Sequence, residues 1–267
     1  STGQGTVTAV GYESVMTNTD GFYLVGVGSG TLKLNTTGVS NTAVGYASLA
    51  ANTTASYNTA MGQNALAADT TGYQNTAVGS ASLFTNTTGS FNTAIGYAAL
   101  YDMTTAANNV AIGYLAGQNI TTGAQNSALG RSALETTTTG LYNIGVGFNA
   151  NSSSGTVNGE CTFGDSNIST LRCNDQSIAA LSDERDKTDI VNSSYGLGFI
   201  NAVRPVQFKW ETRDGNIKDG KTRLGFIAQE LLTACNGNND VLDLVMDENP
   251  DKLEAKYGNL LPVAIQA

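Results

Sequence analysis

The sequence predicts a mainly β protein: a parallel β-roll of ten 17-residue coils, followed by a small unit of different composition. Three observations carry this. Glycine recurs at every seventeenth position, from Gly11 through Gly28, Gly45, Gly62, Gly79, Gly96, Gly113, Gly130 and Gly147 to Gly164. The residues flanking each glycine repeat in type. The density of charge, proline and tryptophan changes abruptly near residue 181. A globular core has no need of a backbone-permissive residue at fixed pitch over such a length. A stacked coil does, because every repeat must turn the chain at the same place.

The repeat is clearest at Asn41 to Leu49, Asn-Thr-Ala-Val-Gly-Tyr-Ala-Ser-Leu. An apolar residue precedes every glycine (Val10, Val27, Val44, Met61, and so on to Phe163), and a small one stands before it. A second apolar row follows four residues after the glycine: Val15, Leu32, Leu49, Leu66, Leu83, Leu100 and Leu134, with Gly117 as the exception. This pattern predicts two strand-like pieces per coil, each with an inward large residue and small neighbours. Tracts such as Asn52-Thr53-Thr54 and Thr70-Thr71-Gly72 read as the turns between them.

Stacked at ~4.8 Å, ten coils rise roughly 48 Å. Each coil supplies only about two large apolar side chains, so a single column is poorly supported, and lateral association, most simply as a homotrimer, is the expected remedy. Seven coils carry an asparagine in one register, Asn41, Asn58, Asn75, Asn92, Asn109, Asn126 and Asn143. These either form an amide ladder along the column or satisfy their own turns.

The unit Asn-Thr-Ala-Val-Gly-Tyr-x-Ala/Ser-Leu resembles the head repeat of YadA-type trimeric adhesins, over roughly residues 7 to 164. The resemblance implies a left-handed parallel β-roll wound as a trimer, here with a longer turn than the commonest repeat of that family. It does not imply one function, because such heads serve as adhesive surfaces and as spacers alike.

Residues 1–181 hold 11 charged side chains and residues 182–267 hold 24, with all three prolines and Trp210 in the second part. The expected organisation is a β-roll over 1–164, a connector over 165–181 and a second domain over 182–267. The net charge of −9 argues against a nucleic-acid partner. No apolar run is long enough for a membrane-spanning helix, and no signal peptide opens the chain. Starting at Ser1 without a methionine, the chain reads as part of something longer.

The three cysteines, Cys161, Cys173 and Cys235, match no zinc spacing and are expected to be small buried residues in a protein folded in a reducing compartment. The sequence contains no histidine, which removes Ser-His-Asp and Cys-His catalysis and most metal chemistry; no cofactor is expected. Gly26-Val27-Gly28-Ser29-Gly30 imitates a phosphate loop but belongs to the repeat. Asp240, Asp243 and Asp247 lack the spacing of a calcium loop and read as solvated surface.

The boundary reads Leu181-Ser182-Asp183-Glu184-Arg185-Asp186-Lys187-Thr188. Taken alone, Ser182 would cap a helix whose first turn carries the acids. Downstream lie Gly196-Leu197-Gly198-Phe199-Ile200-Asn201-Ala202-Val203-Arg204-Pro205-Val206-Gln207-Phe208-Lys209-Trp210, then Leu224-Gly225-Phe226-Ile227-Ala228-Gln229-Glu230-Leu231, then Leu260-Leu261-Pro262-Val263-Ala264-Ile265-Gln266. With Ser-Asp-x-x-x-Lys in front, the blocks resemble the C-terminal intramolecular chaperone of phage tail spikes and fibres, whose best-known form is the endosialidase tailspike peptidase family.

That resemblance implies a small α+β chaperone domain that trimerises, sets the register of the fibre and cuts itself off before the motif serine. It implies Ser182 as nucleophile, Lys187 as its base and the Leu181–Ser182 bond as the cleavage site. The family continues as a C-terminal helix where this sequence stops at Ala267. A neutral lysine is required, so Lys187 must be desolvated or near another cation.

The resulting expectation is a virion tail fibre or spike, folded in the host cytoplasm and acting as a single-turnover serine auto-endopeptidase on its own chain. Its partners would be two copies of itself, upstream fibre or tail components and a host surface receptor, with Tyr12, Tyr46, Tyr97, Tyr114 and Phe148 as the candidate contacts. The rival readings are a bacterial trimeric surface adhesin and a purely structural fibre whose chaperone is inert.

Overall fold

The repeat lattice dictates the first unit directly: each coil contributes one strand and stacks on the next. In this computed structural model, residues 5–168, 188–190, 193–209, 211, 220–247, 253–256, 260 and 264 are described. The chain divides into two units, Ser1–Asp165 and Ser166–Ala267. The first holds one parallel sheet in sequential order: β1 (Val7–Val10), β2 (Leu24–Val27), β3 (Thr42–Val44), β4 (Thr59–Met61), β5 (Thr76–Val78), β6 (Thr93–Ile95), β7 (Val110–Ile112), β8 (Ser127–Leu129), β9 (Ile144–Val146) and β10 (Cys161–Phe163). Every register is one repeat long, as in Ala43↔Ala60 and Ala94↔Ala111. This is the expected parallel β-solenoid.

The repeat glycines have two jobs. Gly96 sits at φ +136°, a region that L side chains rarely enter. A Cβ there would also lie 2.3 Å from the carbonyl oxygen of Gly113, one coil on. Glycine is thus required both by the turn and by the closeness of the stacked backbones. The same clash recurs up the column, at 2.4 Å from Gly62 to Gly79 and 2.5 Å from Gly130 to Gly147.

The two apolar rows are arranged differently from the expectation. Each coil has one strand, not two, and its middle residue is the inward one: Ala43, Ala60, Ala77, Ala94 and Ala111 are fully buried. The larger residue before the glycine points out, with Met61, Ile95, Ile112 and Leu129 exposed. A coil this narrow has room for a methyl group, not a valine, between the sheet and the opposite wall. That wall is the second row. Leu32, Leu49, Leu66, Leu83, Leu100 and Leu134 are wholly buried, yet they sit in left-handed turns with φ between 47° and 52° rather than in a strand. The conformation costs about 1–2 kcal/mol per residue, and burying a leucine contributes about 1.5–3 kcal/mol, so burial wins.

Gly117 takes the same left-handed position at φ +57°, and Ile120, fully buried, fills the space its missing side chain leaves. A Cβ on Gly117 would lie 3.0 Å from both Ile120 and Leu100.

Polar ladders complete the interior. In the first asparagine column, Asn58 N–H donates to Asn41 Oδ1 at 2.9 Å and Asn75 N–H to Asn58 Oδ1 at 2.8 Å, while each Nδ2 donates to a carbonyl of the next coil, such as Asn75 to Gly89 at 2.8 Å. The bonds run between coils, and amide-to-amide bonds join them from Asn75 to Asn126, as in Asn92 Nδ2 donating to Asn75 Oδ1 at 3.2 Å, so the column is a ladder along the solenoid rather than a set of separate turn caps. In a second column Asn35 Nδ2 donates to Asn18 Oδ1 (2.9 Å), Asn52 Nδ2 to Asn35 Oδ1 (2.6 Å) and Asn86 Nδ2 to Asp69 Oδ1 (2.9 Å). A threonine column adds hydroxyl bonds, Thr53 to the Thr70 carbonyl and Thr70 to that of Thr87 among them.

The second unit is a small α+β assembly: α1 (Leu197–Ile200), β11 (Val206–Lys209) antiparallel to β12 (Thr222–Gly225), α2 (Ala228–Cys235), α3 (Asn239–Leu242) and β13 (Val245–Met246) antiparallel to β14 (Glu254–Ala255). Its core gathers Leu231 and Cys235 of α2 with Leu242, Leu244 and Val245, and Tyr195, Phe199 and Phe226 pack against them. The helix α2 stops at Asn236, which adopts the left-handed conformation, followed by Gly237 at φ +80°.

The cysteines depart from expectation in one case. Cys235 is buried, and burial pushes its thiol up, but Cys161 of β10 is exposed because it flanks the inward residue of its strand. Cys173 lies outside the described residues. Among the described residues no helix is long and apolar enough to cross a membrane.

Candidate functional site

The motif blocks found in the sequence map onto successive elements of the second unit. Gly196 caps α1, whose first turn buries nothing by itself but delivers Phe199 and Ile200 to the shared core. The short Val203-Arg204-Pro205 link leads into β11, whose partner β12 ends at Gly225. Phe226 and Ile227 then turn into α2, and Ile227 caps it in extended conformation.

Arg204 joins these blocks. Its Nε donates to Glu230 Oε2 at 2.9 Å and its Nη2 donates to Glu230 Oε1, a two-pronged pair between the link before β11 and the first turn of α2. The hydrogen bond from Arg204 lowers the Glu230 carboxyl below its ordinary range, and the same bond raises the Arg204 guanidinium. Both groups are solvated, so the pair fixes orientation more than it stabilises. Sequence reading passed over this pair, although each motif block carries one of its charges. At the far side, Asn239 Nδ2 donates to the Val245 carbonyl and its Oδ1 accepts from Val245 N–H, tying α3 to β13. Asp243, at the end of α3, pairs with Lys256 at 2.6 Å, and Asp247 accepts from Asn239 at 3.3 Å, in keeping with a solvated acidic surface.

Leu181, Ser182 and Lys187 lie outside the described residues, as do Asp183, Glu184, Arg185 and Asp186. The described chain resumes at Thr188, with Ile190 exposed.

On the solenoid, Tyr12, Tyr46, Tyr97, Tyr114 and Phe148 are all exposed. They form a column of their own: Tyr97 stacks on Tyr114 at 5.3 Å, and Arg131 lies over the rings of both Tyr114 and Phe148. Those ring faces are thereby covered by their neighbours. Gly26 to Gly30 follow the repeat lattice, Gly26 within β2 and Gly28 at its turn.

Residues 182–238 match the family described as chaperone of endosialidase. The match begins at Ser182 and takes in α1, β11, β12 and α2. No curated protein and no solved structure matches the chain.

Proposed function

We propose that the chain is part of a phage tail fibre or tail spike: a trimeric β-roll for host attachment, carrying a C-terminal intramolecular chaperone that cleaves itself off between Leu181 and Ser182. The observation that carries this reading is the family match over 182–238, which starts at the residue assigned as nucleophile. Arg204 and Glu230, inside the match, hold its two halves in a fixed relation.

In the proposed reaction the Ser182 hydroxyl oxygen attacks the Leu181 carbonyl carbon while neutral Lys187 takes the hydroxyl proton. The carbon–nitrogen bond breaks, and the protonated lysine returns that proton to the departing Ser182 amine. Water then hydrolyses the ester formed between Leu181 and the Ser182 oxygen, leaving a carboxylate on Leu181 and a free amino terminus on Ser182. The amine of Lys187 must lose its charge to act, which calls for desolvation or a nearby cation such as Arg185.

Trimerisation is supported by the outward row of the sheet. Val10, Val27, Met61, Ile95, Ile112, Leu129 and Phe163, each the residue before a turn glycine, expose apolar side chains along one line of the column. A continuous apolar stripe of this kind marks an association surface.

Denaturing gels and intact mass test the cleavage. Wild-type protein is expected to yield a fragment beginning at Ser182, whereas Ser182→Ala and Lys187→Met stay whole. A Ser182→Ala protein with the wild-type band pattern sinks the assignment.

A further inference from the structure

One more column of the solenoid lies five residues before the eight turn glycines from Gly28 to Gly147: Tyr23, Ser40, Tyr57, Gln74, Phe91, Asn108, Gln125 and Tyr142. All eight adopt the left-handed conformation, with φ between 55° and 62°. Asparagine tolerates that conformation best among non-glycine residues, and bulky rings gain nothing from it. Yet Tyr23, Tyr57, Phe91 and Tyr142 hold their rings in solvent, with Tyr57 61% exposed. Neither backbone preference nor burial accounts for aromatics here. Tyr23, Tyr57 and Phe91 recur at every second coil, with Ser40 and Gln74 between them. At ~4.8 Å per coil the rings are roughly 9.6 Å apart, close to the length of two sugar rings in an extended chain.

The column also borders a depression. An open groove of about 480 Å³ is lined by Thr54, Ser56, Tyr57, Thr71, Tyr73 and Gln74. Tyr73 meets Phe91 edge to face at 4.9 Å, so one wall of the groove continues into the next ring of the column. Unlike Tyr97 and Tyr114, whose faces cover one another, Tyr57 has no ring partner among the described residues. Exposed ring faces beside hydroxyls and an amide, with no charge in the lining, are the composition of a site for an uncharged polar ligand. Single-stranded nucleic acid would need basic groups along such a groove, and none lines it.

We propose that this groove binds an uncharged glycan, its sugar rings packed on Tyr57 and Tyr73 and its hydroxyls held by Gln74, Ser56 and Thr54. The inference deepens the host-attachment reading, on which it rests, by naming the class of receptor.

The test uses the whole protein on an array of uncharged oligosaccharides, from disaccharides to octasaccharides. The best-retained compound is then titrated against wild type, Tyr57→Asn and Tyr97→Ser. Asparagine and serine already occupy those columns at Asn108 and Ser80, so both variants suit the lattice, and unchanged melting checks it. Tyr57→Asn is expected to weaken binding about tenfold or more, with Tyr97→Ser unchanged. Retention of no uncharged compound overturns the inference, as does equal binding by wild type and Tyr57→Asn. Loss of oligomeric mass in Tyr57→Asn also overturns it, by assigning the column to contacts between copies. Adsorption to cells is scored separately: adsorption without glycan binding removes the inference alone, and glycan binding without adsorption removes the attachment reading.

Discussion

Asp69 occupies an asparagine's place in the second polar column, and one atom makes the difference. In that column the Nδ2 of each residue donates to the Oδ1 of the residue one coil earlier. Asp69 has no Nδ2, and Asn52 Oδ1 is buried without a hydrogen-bond partner among the described residues. The other orphan, Asn86 Oδ1, has the same cause one step on, since Met103 follows it in the column. Asp69 itself is fully buried, and desolvation pushes its carboxyl up to about 8, against the bonds from Gly72 N–H and Asn86 that favour the charge. The folded protein therefore holds a proton that the unfolded chain releases near pH 4. Its stabilising effect is complete below about pH 4 and is lost as pH rises through about 8. Thermal melts from pH 4 to 8 are expected to fall with a slope of up to roughly 1.4 kcal/mol per pH unit. Asp69→Asn supplies a donor that does not titrate, so its profile should flatten and cross above wild type at high pH, where the carboxyl has lost its proton. An identical slope in the variant would assign the titration to other groups.

At the scale of one coil, the turn glycine and its neighbours separate two demands that sequence alone merges. Gly96 meets both a forbidden φ and a carbonyl 2.3 Å from any Cβ, whereas Gly30, at φ +70°, has nothing nearer than 3.9 Å. Its counterparts Ala47, Ala81 and Ala98 already hold side chains in that conformation. Gly96→Ala is expected to cost at least about 3 kcal/mol in urea denaturation, and Gly30→Ala less than about 1 kcal/mol. Comparable losses from the two would show that φ alone, and not the approach of the next coil, makes the lattice glycine necessary. The pitch and the membership of every row were legible from Asn41 to Leu49 onward. Which row faced inward was not. A valine beside an alanine reads as the buried one by size, and only the narrowness of the finished coil reverses that choice. Nor does any propensity place a leucine in a left-handed turn. The one written trace of it was Gly117, standing in a row where the seven other coils from Val15 to Leu134 have a leucine or valine.

At the scale of the molecule, the polar ladders and the short strands repeat nearly the same neighbours from coil to coil, with Asp69, Met103 and the Gly117–Ile120 pair as departures, so the interior offers little to distinguish one register from another between the chains of the proposed trimer. The exposed row before the glycines is the surface on which that choice would be made. If the proposed trimer forms through this row, Ile112→Glu, which puts a carboxylate on that line where the side chain is exposed, is expected to reduce the sedimenting mass from trimer to monomer with the coil's circular dichroism retained. A trimer that persists would move the interface elsewhere. The second unit was legible as ordered blocks, and those blocks became α1, β11, β12 and α2. The pairing of Arg204 with Glu230 was not legible, because the two lie 26 residues apart and only the return of α2 beside the Pro205 link brings them together.

The constant offset in the sheet has a further effect on length. Because every strand pairs with the one seventeen residues on, adding or removing a whole repeat leaves the strand offset and the alignment of the rows as they were. Adding a single residue displaces every ladder beyond it. The column can therefore lengthen only in steps of one coil, ~4.8 Å at a time, which makes the first unit a graduated scale whose length is set by counting repeats.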